Sequence, residues 1–80
     1  MTYKIIKTDV YGDTINTTVE YNFDGKIITI DVAHFMPQNQ QDIETGILNR
    51  AASEKRRIDA EEFNRSLVEN ITIGEEKPIN

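Results

Sequence analysis

Eighty residues carrying fourteen carboxylates against nine lysines and arginines give a net charge of −5, and there is no cysteine. Such a chain has room for one thin-cored domain that buries about 60–65% of its unfolded surface, without disulfides or thiolate metal sites to staple it. The charge divides as about −2 over residues 1–38 and −3 over residues 39–80, which argues against a nucleic-acid partner because duplex binding needs a basic face to neutralise phosphates.

The first elements are three strands joined by two short turns. Gly12-Asp13 separates the first from the second, with Val10 opposite Ile15, Thr8 opposite Thr17 and Ile6 opposite Val19. Asp24-Gly25 separates the second from the third and favours a type I′ loop, since Asp and Gly tolerate positive φ. Pairing Phe23 with Lys26 then sets Tyr21 opposite Ile28, Val19 opposite Ile30 and Thr17 opposite Val32. Both turns point to one buried face made of Ile6, Val10, Ile15, Val19, Tyr21, Ile28, Ile30 and Val32, as in an antiparallel meander. The reverse face carries Tyr3, Ile5, Tyr11, Ile27, Ala33 and Phe35 among Asn16, Thr18, Glu20 and Asp31. It reads either as ordinary scattered surface apolar residues or as a partner surface.

Pro37 ends the sheet region, since it has no amide hydrogen and biases Met36 towards extended geometry. A helical region over residues 38–73 follows, with Asn39 as cap and Asp42 in the first turn. Ile43, Ile47, Ala51 and Ile58 recur on one face suited to covering the sheet. Gly46 costs about 1 kcal/mol inside a helix, and close packing on the sheet is the reason to expect it there. Ala60, Phe63, Leu67 and Ile71 point to roughly the opposite side. Either the helix breaks near Asp59, or it continues and offers its distal face to another chain; the Ala, Glu, Lys and Arg content favours continuity. Asn70-Ile71-Thr72-Ile73 has the alternative of a short strand, and residues 74–80 read as a flexible tail. The expected fold is α+β: a three-stranded antiparallel sheet over residues 1–36, then a long C-terminal helix, in one domain.

Candidate chemistry is sparse. His34 is the only histidine, so paired-histidine metal motifs are absent, and its place at the end of the apolar row suits a packed, hydrogen-bonded imidazole. Glu20 and Asp31 would need a pocket to act as an acid–base pair. Lys55-Arg56-Arg57 is flanked by Glu54, Asp59, Glu61 and Glu62, as in a helical salt-bridge lattice. No phosphate loop exists among the isolated glycines. These readings predict no enzyme activity, no cofactor, no metal and no small-molecule substrate. The absence of a leader pattern and of a long apolar run predicts a cytoplasmic protein with no membrane contact.

The run Val19-Glu20-Tyr21-Asn22-Phe23-Asp24-Gly25-Lys26, the segment Phe35-Met36-Pro37 and the helix with Asn49-Arg50-Ala51 resemble, in size and style, the short uncharacterised proteins of tailed bacteriophages. The resemblance implies a structural or assembly component acting through protein contacts, as a repeated subunit or adaptor in a virion, in the host cytoplasm or incorporated into the particle. Its partners would be further copies of itself or other virion proteins. The expected partner-binding residues are Phe63, Leu67, Ile71, Tyr3, Ile5, Ile27 and Phe35. The alternative is a small inhibitor or adaptor that binds a host nuclease or defence protein through acidic or edge-strand surface.

Overall fold

A computed structural model describes residues 1–79; Asn80, the end of the expected tail, lies outside them. Strands β1 (Thr2–Tyr11), β2 (Thr14–Phe23) and β3 (Lys26–Phe35) form an antiparallel sheet in the order β1-β2-β3, and a single helix, α1 (Gln40–Val68), follows. The fold is the expected α+β arrangement.

The second turn behaves as its dipeptide requires. Asp24 and Gly25 have φ of 54° and 103°, the two positive angles of a type I′ loop. From there β2 and β3 pair without a shift, from Phe23–Lys26 to Thr14–Phe35. Strand β1 pairs as expected from Tyr11–Thr14 to Thr8–Thr17, but a bulge at Ile6 then sets Ile5 opposite Val19 and Tyr3 opposite Tyr21. Side chains alternate with a period of two, so one extra residue reverses every position before it. Ile6 therefore leaves the row it was expected to join. Tyr3 and Ile5, expected on the reverse face, lie instead on the helix side, with the Tyr3 ring 6.5 Å from that of Tyr21.

Met36 also departs from expectation. Its φ is 47° rather than extended, a costly conformation for a residue before proline, and its amide donates to the Asp13 carbonyl at 2.8 Å.

Asn39 caps α1, its Oδ1 accepting from the Asp42 amide at 2.9 Å, while the Asp42 carboxylate accepts from the Gln38 amide at 2.8 Å. The helix runs through Asp59 without a break. It stops at Val68 rather than residue 73, where the β-branched run Ile71-Thr72-Ile73 gives poor helix propensity. Asn70–Ile73 forms no strand: the chain turns there, the Ile71 amide donating to the Val68 carbonyl at 3.0 Å.

The helix lies over β2 and β3 but not β1. Its face of Ile47 and Ile58, flanked by Ile43 and Ala51, closes on Val19, Tyr21, Phe23 and Val32. The Tyr21 hydroxyl donates to the Ile47 carbonyl at 2.7 Å. Because nothing covers β1, the expected core row falls short: Ile15 is half-buried and Val10 is 72% exposed.

At about 1.5 Å per residue α1 is about 44 Å long, against about 33 Å for each strand, so it overruns the sheet. The radius of gyration, 18.9 Å, exceeds the roughly 12 Å of a compact chain this long. The accessible surface, 6369 Å², likewise exceeds the roughly 4,900 Å² expected for its mass. No helix among the described residues is long and apolar enough to cross a membrane.

Candidate interaction surface

Ile58 is the last helical residue buried on the sheet, and every described residue after it is exposed. The helix from Asp59 to Val68 is thus an arm of about 15 Å. Phe63, Leu67 and Val68 on it are 64%, 52% and 57% exposed. At 100° per residue, Phe63 and Leu67 fall on the side opposite Ile47 and Ile58. Ile71, expected on that helical stripe, lies just past the helix end, exposed beside the arm. Val68 joins this group although the periodicity did not select it: on an arm that leaves the sheet, all sides are open.

The other expected partner residues do not converge on the arm. Ile27 and Phe35 sit at opposite ends of β3, about 27 Å apart, on the reverse face. Polar contacts occupy the space between: Thr18 donates to Asp31 at 2.8 Å, and Lys4 lies 3.6 Å from Glu20. Phe35 instead shares a row with Thr14 and Tyr11. Tyr3 and Ile5 lie on the other face: Tyr3 sits beside the Tyr21 ring, and Ile5 borders a shallow cleft of about 210 Å³ between the sheet and α1, with Thr17 and Ile43 in its lining. The seven residues therefore occupy four separate places.

Charge distinguishes the arm more clearly than apolarity does. Over residues 59–79 there are six carboxylates against Arg65 and Lys77, a balance of −4, leaving −1 for residues 1–58. Two residues of the basic run upstream, Lys55 and Arg57, are ion-paired. Glu54, a buried residue of α1, accepts from Arg50 Nε at 3.1 Å and Arg57 Nε at 2.8 Å; Arg57 also reaches Glu61, and Lys55 reaches Asp59, each at 2.6 Å. Hydrogen bonding from Arg57 holds the Glu54 carboxyl below its ordinary range, against the opposing effect of burial.

His34 is buried between sheet and helix, its Nε2 2.9 Å from the Thr17 hydroxyl. Burial lowers its pKa. On its other side a Cβ placed at Gly46 would lie 2.8 Å from Nδ1 and 3.0 Å from Cε1, so the imidazole fills the joint between β3 and α1. Among the described residues no cluster of His, Asp and Glu is placed to hold a metal ion. Comparison with protein families, curated proteins and solved structures returned no match.

Proposed function

We propose that the chain is a non-enzymatic assembly or adaptor protein that acts through protein–protein contacts, with the acidic arm from Asp59 onward as its docking element. The observation that carries this reading is the arm itself: Phe63, Leu67 and Val68 are held on a continuous helix beyond the reach of the sheet. Apolar side chains so displayed are a recurrent means of docking into another protein's groove. The resemblance to short tailed-phage proteins supports a role in virion structure or assembly in the host cytoplasm. Concentration of charge on one arm favours a second reading, an inhibitor or adaptor for a basic host protein such as a nuclease.

The test is the double change Phe63→Ser with Leu67→Ser, compared with wild type by circular dichroism and by affinity for proteins captured from the host and identified by mass spectrometry. Unchanged helix and strand signal with lost binding is expected. Unfolding of the variant at the same concentration would return these residues to the protein's own core and overturn the reading. Salt distinguishes the two partners: an acidic inhibitor loses association rate as ionic strength rises, whereas an apolar assembly contact hardly responds.

A further inference from the structure

The two sheet edges are built differently. Strand β1 is interrupted by the bulge at Ile6 and flanks it with Lys4 and Lys7, the features that discourage edge-to-edge pairing. Strand β3 has no bulge, no proline and ten consecutive pairs with β2. Its outer side is unpaired.

From these differences we infer that β3 is a homodimer interface, pairing antiparallel with β3 of a second copy about a two-fold axis at Ile30. The occupant follows from self-complementarity. A two-residue loop makes Phe23 and Lys26 a hydrogen-bonded pair, and the Met36–Asp13 bond falls on the same alternation. The outward amides and carbonyls of β3 therefore belong to Ile27, Thr29, Asp31, Ala33 and Phe35. Keeping both helices on one side of a joined sheet requires each residue to meet one of the same parity. With the axis at Ile30, Ile30 meets its own mate and Ile28 meets Val32 on the helix side. On the reverse side Thr29 meets Asp31 and Ile27 meets Ala33. The outward groups then form about eight main-chain hydrogen bonds. Moving the axis to Asp31 would set two carboxylates directly opposite, and moving it to Thr29 would set Ile27 against Asp31; both are unfavourable pairs.

The helix position agrees. Because α1 covers β2 and β3, strand spacing of about 4.8 Å places its axis about 5 Å from the two-fold. Two helices would then run antiparallel about 10 Å apart, at ordinary packing distance. At 100° per residue Ser53, small and exposed, lies on that flank and allows approach. Arg50 and Arg57 lie there too, each already compensated by Glu54. This surface is independent of the arm, which would project from opposite ends of the dimer.

Sedimentation velocity on the full chain should give twice the 9.2 kDa monomer mass. Thr29 is exposed on the reverse face but stands opposite Glu20 of the same sheet, so circular dichroism should first show that both charge variants keep the wild-type strand and helix signal. Thr29→Asp sets like charges across the joint and should raise the dimer Kd about tenfold, whereas Thr29→Lys should lower it. The chain has no cysteine, so Ile30→Cys under oxidation should give a covalent dimer, and Ala33→Cys, about 20 Å from its mate in this register, should not. A wild type that stays monomeric at millimolar concentration would overturn the inference. So would equal dimer affinity in both Thr29 variants, or equally fast crosslinking at Ala33. Loss of the dimer in the Phe63→Ser, Leu67→Ser variant alone would assign self-association to the arm instead.

Discussion

Replacing Gly46 with alanine sets two effects of opposite sign against one another. Alanine is better than glycine inside a helix by about 1 kcal/mol, so an exposed helical glycine would gain stability from the change. Here the new methyl would meet the His34 ring at 2.8 and 3.0 Å. The ring cannot retreat cheaply, because it is buried and held by the Thr17 hydroxyl at 2.9 Å. Overpacking of this kind costs about 1–3 kcal/mol, and straining or losing the hydrogen bond adds about 1 kcal/mol. Gly46→Ala should therefore destabilise the protein by about 1–3 kcal/mol, a fall in Tm of roughly 5–15 °C for a domain this small. In a His34→Ala background the obstruction is gone, and the same change should stabilise by about 1 kcal/mol. Urea denaturation of the four proteins, followed by circular dichroism at one fixed concentration so that association contributes equally, completes the cycle. The same sign in both backgrounds, or a gain in the wild type, would refute the packing argument.

Three further outcomes are expected. Gly25→Val should cost more than about 1 kcal/mol in thermal or urea unfolding, because φ there is 103°, whereas Asp24→Asn at φ 54° should be nearly neutral. Met36, at φ 47°, should accept glycine with neutral or improved stability, while Met36→Val should lose more than about 1 kcal/mol, a difference read as urea midpoints. Burial lowers the His34 pKa below the ordinary 6.5, so the unfolded chain takes up the proton first. Its contribution is complete above pH 6.5 and is lost as pH falls through that value towards the folded pKa. Tm measured from pH 7.5 to 5 should decline accordingly, and the decline should flatten in His34→Gln.

Local chemistry made the meander and the helix legible, but not the sheet's relation to its cover. The Asp24-Gly25 loop and the apolar pairs Val19–Ile30 and Tyr21–Ile28 both specify one register, and the structure has it. The Ile6 bulge carries no such mark: Ile5 and Ile6 are chemically equivalent, so pattern alone does not say which is the extra residue. The consequence is large, since it turns Tyr3 and Ile5 to the other face. Val10 was misplaced for a different reason. Its alternation is correct, but burial depends on where a single helix lies, and one helix is too narrow to cover three strands. Gly46 is the opposite case, an unfavourable helical residue whose cost points to close packing on the sheet, which the structure makes against His34. The arm was legible as a divergence of two apolar faces. Its acidity is hidden in a division at residue 38, because the −4 of residues 59–79 is offset there by the basic residues of the preceding helix.

The open β3 edge and the arm follow from the same shortage of internal cover. The last helical residue buried against the apolar face of β2 and β3 is Ile58, and the additional turns to Val68 bury no further residue. Isolated helical turns are marginal in water, and the Lys55–Asp59 and Arg57–Glu61 pairs that bridge onto the arm are solvent-exposed and add little. Exposed Phe63, Leu67 and Val68 contribute nothing to the isolated monomer that polar helix formers would not supply equally. Their stability is recovered only when something outside the chain covers them. If β3 pairs with its mate, the two antiparallel helices carry their arms to opposite ends of one joined sheet. Each dimer would then offer two identical docking elements facing apart, the arrangement needed to bridge two partners or to propagate a repeating assembly, and one that a monomer with a single arm cannot provide.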